Sequence, residues 1–382
     1  MQVAILGRQP ALSLAELESL FGAEKINVIS DYAAVVDSED PLPQALLGGT
    51  MKSAKLLTRL KKTGLPDAFA YLQTSIPEHL HYLPEGKLQL GVSVYGFKAQ
   101  RDWLLRQMLS LKKIIKKNDR SVRIIENKSE ALETAQILYN KLTGSLGWEL
   151  LLIKDGSDVI VAQTTAVQDI DAYSERDFGR PKRDAYVGML PPKLAQIMIN
   201  LVNPAVEATV LDPFCGTGVV LQEARLMQYK AQGSDIEPRM VEYSKENLTW
   251  LFNDASTEVT VADATTAHWK DFDTVVCETY LGKPLTALPH REKLQQIADE
   301  ANTIAEKFLK NLQPQLKNGA KLSLALPAWN IGHNQFLHLK MLDHLSDLGY
   351  NRLEFVHAKK TELIYHRENQ IVARELTILE KK

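Results

Sequence analysis

The sequence predicts an α/β chain of several domains that ends in a parallel sheet covered by helices on both faces. Two observations lead there. Beyond about residue 190 apolar strand patterns alternate regularly with helical ones, the signature of parallel strands joined by crossover helices. At residues 209–221 an apolar strand runs into the turn Asp212-Pro213-Phe214-Cys215-Gly216-Thr217-Gly218 and then a helix, a strand end where a ligand can approach the backbone. With 382 residues, 45% hydrophobic and 24% charged, the chain has the composition of an ordinary globular protein and the length for two or three cores.

Taken in order, residues 3–6 read as a strand, 12–21 as a helix with Ser13 as its cap, and 26–29 and 33–36 as further strands. Residues 44–60 read as a helix that sets Lys52, Lys55 and Arg59 on one face at spacings of three and four. From residue 87 the apolar positions Leu88, Leu90, Val92 and Val94 alternate as in a half-buried strand. The helix that follows carries Leu104, Met108, Leu111 and Ile115 on one face and Arg106, Lys113 and Lys117 on another. A strand at 121–125, a helix at 131–142 and a hairpin of 148–153 with 159–163, turning at Asp155-Gly156, complete this unit. The domains are expected as 1–60 (small α/β), 61–165 (compact basic unit), 166–190 (linker) and 191–382 (parallel sheet). In the last, a helix at 193–201 begins after Pro191-Pro192, where a missing N–H costs nothing. Its seven strands are expected at 209–212, 231–235, 258–262, 274–278, 320–326, 352–356 and 372–379.

Gly216 and Gly218 resemble the start of a dinucleotide fingerprint, but no third glycine stands near Leu221, and Asp212 precedes the turn. A carboxylate there repels a pyrophosphate and suits a cationic ligand, which favours S-adenosylmethionine (SAM) over NAD. Asp235, with Ile236 after it, ends the second strand and is placed to accept ribose hydroxyls. Asp263, with Ala264 after it, ends the third and is placed to accept the adenine amine. Three acids at successive strand ends make a set that a lone tight turn does not explain.

Charge is divided unevenly. Residues 50–128 hold sixteen Lys and Arg against six Asp and Glu, in a chain whose net charge is -2, the footprint of a polyanion-binding part joined to an acidic one. Two cysteines, Cys215 and Cys277, supply neither a disulfide framework nor a metal spacing. His333, His338 and His344, five and six apart, miss the register of a helical metal site, so no metal is expected. No apolar run reaches membrane-span length and no basic region precedes the N-terminal apolar residues. A cytoplasmic protein without a membrane partner is therefore expected.

Gln168-Asp169, Arg176-Asp177, Arg180-Pro181, Asp184, Gly188-Met189-Leu190-Pro191-Pro192-Lys193-Leu194-Ala195, Asn200-Leu201, the turn Asp212 to Gly218, Tyr365-His366-Arg367 and Arg374-Glu375 together resemble the THUMP-domain RNA methyltransferases that modify the exocyclic N2 amine of a guanosine in tRNA. Leu6-Gly7-Arg8-Gln9-Pro10 and Leu12 to Leu17 resemble that family's N-terminal domain. The resemblance implies a SAM-dependent, seven-stranded Rossmann-like class I methyltransferase domain, its last two strands an antiparallel hairpin at the sheet edge, preceded by a small α/β domain and a THUMP-like domain, with tRNA as partner. It also implies that the basic segment binds RNA, through Lys52, Lys55, Arg59, Arg106, Lys113, Lys117 and the linker's Arg180. Asp212, Pro213, Phe214, Gly216, Gly218, Asp235, Ile236, Asp263 and Ala264 would hold the cofactor.

The chain departs from the family where amino-methyltransferases carry Asp-Pro-Pro-Tyr. Here the stretch is Cys277-Glu278-Thr279-Tyr280-Leu281-Gly282. Glu278 stands for the Asp that accepts the target amine's N–H, and Tyr280 for the ring that stacks on the base. Both prolines are missing, and a misplacement of about 1 Å can cost on the order of 100-fold in rate. Two other readings stay open: a SAM- and RNA-binding protein with lost or altered catalysis, and an amino-methyltransferase acting on DNA or protein.

Overall fold

The computed structural model describes residues 1–184, 189–333, 335–367 and 370–382. The chain divides into two compact units: residues 1–10, 24–45 and 50–170 form the first, and residues 11–23, 46–49 and 171–382 the second.

The first unit is built on one eight-stranded sheet from β1 (Gln2–Leu6), β2 (Ile26–Ser30), β3 (Ala33–Val36), β4 (Thr50–Leu60), β5 (Leu88–Tyr95), β6 (Val122–Ile124), β7 (Gly147–Asp155) and β8 (Asp158–Val167), in the order β2-β3-β1-β4-β8-β7-β5-β6. Strands of 1–60 and of 61–165 thus share a sheet. Residues 44–60 correct the expected helix: β4 is an eleven-residue strand after a 3-10 turn at Gln44–Leu46, hydrogen-bonded to β1 on one side and β8 on the other. Pairing along both edges overrides the helix-like spacing of its charges, and the period of two puts Lys52 and Lys55 on opposite faces. Helix α1 (Pro10–Phe21) follows β1 in the chain but belongs, from residue 11 on, to the second unit, and α2 (Leu65–His79), absent from the elements expected, starts where a proline occupies its first turn. Helix α3 (Arg101–Lys117) buries Leu104, Met108, Leu111 and Ile115 as its spacing requires. Helix α4 (Thr134–Tyr139) is shorter than the expected 131–142.

The second unit opens with α5 (Ile170–Ser174), a π-helical turn at Glu175–Gly179 and α6 (Pro192–Val202). Its sheet contains β9 (Thr209–Asp212), β10 (Lys230–Asp235), β11 (Glu258–Val261), β12 (Thr274–Glu278), β13 (Lys321–Gly332), β14 (Gln335–Leu337), β15 (Tyr350–Arg352), β16 (Ile364–Tyr365) and β17 (Val372–Lys381). The order is β11-β10-β9-β12-β13-β17-β15, with β14 added to β13 and β16 to β17. Among the described residues nine strands replace the expected seven, because two short segments pair beside the long β13 and β17. The sixth main strand lies at Tyr350–Arg352 rather than at 352–356, and Val356 is exposed. β17 runs antiparallel to both β13 and β15, the edge arrangement expected.

Alternation along these strands builds two cores. Leu211, Val275, Cys277, Leu322 and Leu324 face α9 (Arg291–Leu312), whose Leu294, Ala298, Ala301, Ala305, Phe308 and Leu312 recur at four, three, four, three and four. Val210, Val276, Ala325, Leu376 and Ile378 face the other way, onto α6 and α7 (Val219–Leu226). Helix α8 (Pro238–Phe252) follows β10 and completes the set.

Candidate cofactor and acceptor site

The carboxyl ends of β9, β10 and β12 and the residues just beyond β11 open onto a cavity of about 600 Å³. The turn after β9 forms its floor because Gly216 and Gly218 take φ values of +51° and +83°, which residues with a side chain rarely adopt. A Cβ on Gly216 would meet nothing closer than the Phe214 carbonyl oxygen, 4.0 Å away, so space remains above the backbone there.

The turn is pinned from several sides. Cys215 N–H donates to the Ser234 carbonyl at 2.9 Å and Gly218 N–H to the Cys215 carbonyl at 2.7 Å. From α8, Ser244 Oγ donates to the Gly216 carbonyl at 3.0 Å and Asn247 Nδ2 to the Thr217 carbonyl at 2.9 Å. Asn247 also exchanges hydrogen bonds with the backbone of Lys182, each at 2.9 Å, which ties the linker to the turn. Asp184 in that linker pairs with Arg239 at 3.2 Å, and both line the cavity. Gly188 lies outside the described residues.

All nine residues named for the cofactor fall at this place, and all but Gly218 line the cavity itself. Asp212 is buried and accepts Phe214 N–H at 3.1 Å. Burial pushes its carboxyl well above the usual range, with Asp235 and Glu278 adding to the effect. Asp235 accepts Gly216 N–H and Glu237 N–H, both at 2.9 Å, and burial raises its carboxyl too. Ile236 beside it is 63% exposed, an apolar platform at the rim. Asp263 Oδ1 accepts Thr265 N–H and Oγ1–H, each at 2.8 Å. Six carboxyl groups line the cavity against the cations Arg239 and Lys307, so a cation fits it better than a phosphate, and a bound cation would draw the raised Asp212 and Asp235 carboxyls back towards their charged forms.

On the acceptor side, Glu278 ends β12 and Tyr280 follows it into the same cavity. Arg374, on β17, donates through Nε to Glu278 Oε1, and both side chains are largely buried. Burial raises the Glu278 carboxyl and Arg374 opposes that. Arg374 belongs to the family-like pair Arg374-Glu375, which by itself gives it no role. The register of β17 on β13 brings it here, and no local pattern encodes that register. Burial pushes the Cys215 and Cys277 thiols well up, so neither offers a thiolate.

The residues named for RNA scatter. Lys52 is buried, its Nζ 2.6 Å from Glu149 Oε1 and 2.8 Å from the Leu132 carbonyl, so it is a core cation and not a surface contact. Lys55 is exposed on the opposite face, and Arg59 pairs with Asp155. Arg106, Lys113 and Lys117 are exposed on α3. Arg180 is buried 3.6 Å from Asp177, which removes it from the phosphate-binding surface expected of it. His338 Nδ1 lies 2.5 Å from Glu375, which Arg352 also contacts at 2.9 Å.

Residues 180–321 match the family model of an RMKL-like methyltransferase domain, and 98–246 match a DNA methylase model. Over its whole length the chain resembles the solved structure of TrmN from Thermus thermophilus, with a TM-score of 0.55, 16% identity and 99% of that chain covered. A putative methyltransferase complexed with SAH, SMU.472, superposes with a TM-score of 0.52 at 12% identity, covering 100% of this chain and 98% of that one. The chain has a class I methyltransferase fold. In sequence it is similar to the tRNA (guanine(10)-N2)-dimethyltransferase of Methanothermobacter thermautotrophicus, 34% identical over 143 residues, which are 37% of this chain and 40% of the relative. The corresponding protein of Pyrococcus abyssi is 36% identical over 130 residues, 33% of this chain and 37% of the relative. The chain therefore aligns with about two fifths of the length of these relatives. At that level the resemblance read from the sequence stands.

Proposed function

We propose that the protein is a SAM-dependent RNA methyltransferase acting on the exocyclic N2 amine of a guanosine in tRNA, in the cytoplasm. The observation that carries this reading is the convergence of Asp212, Asp235 and Glu278 on one cavity beside an open glycine turn. The residues fit SAM: the acids suit its cationic sulfonium and amino groups, the uncovered Gly216 admits a ligand against the backbone, and Ile236 offers an apolar face to adenine. Asp235 would hold the ribose and Asp263 the adenine amine. Bound SAM supplies an electrophilic methyl group. The chain's part is to place the amine in line with it: Glu278 accepts an amine N–H and then the proton that the methylated nitrogen releases, while Tyr280 stacks on the base. We assign residues 61–165 to a THUMP-like RNA-binding unit, with 1–60 before it and the linker 166–190 after it; its exposed Arg106, Lys113 and Lys117, with Lys55 of the preceding segment, are the phosphate contacts. Four relatives similar in sequence are named for modification of tRNA guanine N2, which supports this substrate class.

Incubation with labelled SAM and unmodified tRNA, followed by nucleoside analysis, tests the reading; the expected product is N2-methylated guanosine. No label in any nucleoside, under conditions where SAM binds, overturns it. Pairing of Glu278 with Arg374 and the missing prolines favour one rival, a SAM- and RNA-binding protein without turnover. That rival fails if Glu278→Ala abolishes a measurable transfer.

A further inference from the structure

The acceptor side of the cavity carries chemistry that distinguishes one base edge from another. Glu278 stands there with its Oε1 held by Arg374 Nε, and the two side chains come from strands on opposite sides of β13. Arg374 is a cation in the protein interior with β17 paired on both flanks, to β13 at Pro327 and to β16 at Tyr365. An ionised carboxylate is an acceptor only, with two oxygens and about four lone-pair directions. The Arg374 bond occupies one of them, so both oxygens remain able to accept.

We propose that Arg374, acting through Glu278, makes this site selective for a base edge that presents two adjacent N–H donors. The inference rests on the transferase reading and deepens it by naming what selects the base. Guanine offers such an edge, the N1–H beside the N2 amine. Adenine and cytosine place an acceptor nitrogen next to their amine, and that lone pair faces a carboxylate with repulsion and no hydrogen bond. An amide in place of the carboxylate reverses the logic, because it presents one donor and one acceptor. Arg374 is a positioning residue: its Nε–H holds Glu278 Oε1, which favours the carboxylate over the neutral acid and turns it so that the acceptor-only form meets the base. Burial acts against the charged form and Arg374 counters it.

The test compares a tRNA transcript carrying guanosine at its methylated position, located by nucleoside analysis, with one carrying 2-aminopurine riboside there. The analogue keeps the 2-amine and replaces the N1–H donor by an acceptor. For the unaltered protein kcat/KM is expected to fall about tenfold or more on the analogue. Glu278→Gln, slower overall, is expected to bring the two substrates within about threefold of each other. Arg374→Lys should keep discrimination and Arg374→Met should lose it, with SAM binding followed by calorimetry as the check on folding. If Arg374→Met does not fold, the Glu278→Gln ratio decides. Equal use of both transcripts by the unaltered protein, an unchanged ratio in Glu278→Gln, or full discrimination by an Arg374→Met protein that still binds SAM overturns the proposal. No transfer to the guanosine transcript while SAM binds overturns the transferase reading itself, and this inference with it.

Discussion

The amide of Gly216 donates to Asp235 Oδ2 at 2.9 Å, so the turn after β9 and the acid that ends β10 are held to each other before any ligand arrives. The cavity floor and the carboxylate proposed to hold the ribose are therefore one preorganised piece. Asp235→Ala removes both the ligand contact and this brace. A hydrogen bond to a charged group contributes about 1.5–3 kcal/mol, so SAM affinity should fall about 10- to 100-fold by calorimetry. Asp235→Asn, which keeps one acceptor, should lose less; equal losses would mean that the charge is what matters.

Gly218 tests the backbone of the same turn. At a φ of +83°, with a hypothetical Cβ only 2.7 Å from Ser244 Oγ, it admits no side chain without movement of α8. Gly218→Ala should cost about 1–3 kcal/mol of stability and weaken SAM binding. Gly156→Ala is the control, with positive φ but nothing within 4 Å; its cost should stay near 1–2 kcal/mol. Chemical denaturation of both variants separates conformational strain from steric exclusion.

Stability should decline as pH rises from about 5 to 8. Glu16 on α1 accepts Gly48 N–H at 2.9 Å, Gly49 N–H at 2.8 Å and Asn200 Nδ2–H at 2.8 Å, and burial raises its carboxyl from 4.5 to about 7. Between those values the folded chain holds a proton that the unfolded chain has released. The contribution is thus fully present below about 4.5 and is lost as pH passes 7. Burial raises Glu223, beneath Arg176, to about 7 as well, and its contribution has the same sign. Each contributes at most about 3 kcal/mol. Urea unfolding at several pH values should show the slope, and Glu16→Gln should flatten it. A pH-independent wild type would refute this account.

Two groups of basic residues should behave oppositely. Lys52→Ala strands Glu149 in the interior, where Ser93 and Thr164 donate to it only as neutral hydroxyls. A broken buried pair costs about 3–5 kcal/mol, so Lys52→Ala should lower the unfolding temperature strongly. Replacing Arg106, Lys113 and Lys117 by Ala should leave stability nearly unchanged. It should weaken tRNA binding and reduce the log-log salt slope by about 2–3, close to one unit for each phosphate that is no longer neutralised. A flat salt response in the unaltered protein would show that α3 presents only a solvated face.

Much of the site was legible because it is local. Strand alternation ending at Asp212, the positive-φ glycines and the acids at successive strand ends are all encoded within a few residues, where sterics and period-two patterning act directly. The 44–60 segment misled for the complementary reason: its charges sit at helical spacing, and only pairing to β1 and β8 makes it a strand. Arg180 misled by composition, since an arginine in a charged linker reads as exposed, yet its guanidinium is buried beside Asp177.

The sequence by itself determined the class of the second unit, the glycine turn after β9 and the carboxylates around it, because those depend on short-range backbone geometry and burial periodicity. The tertiary structure alone decided which charges meet. Glu278 and Arg374 are 96 positions apart, and Lys52 and Glu149 are 97 apart. Each pair is set by strand order and register, which depend on the packing of whole sheets and not on any neighbouring residue.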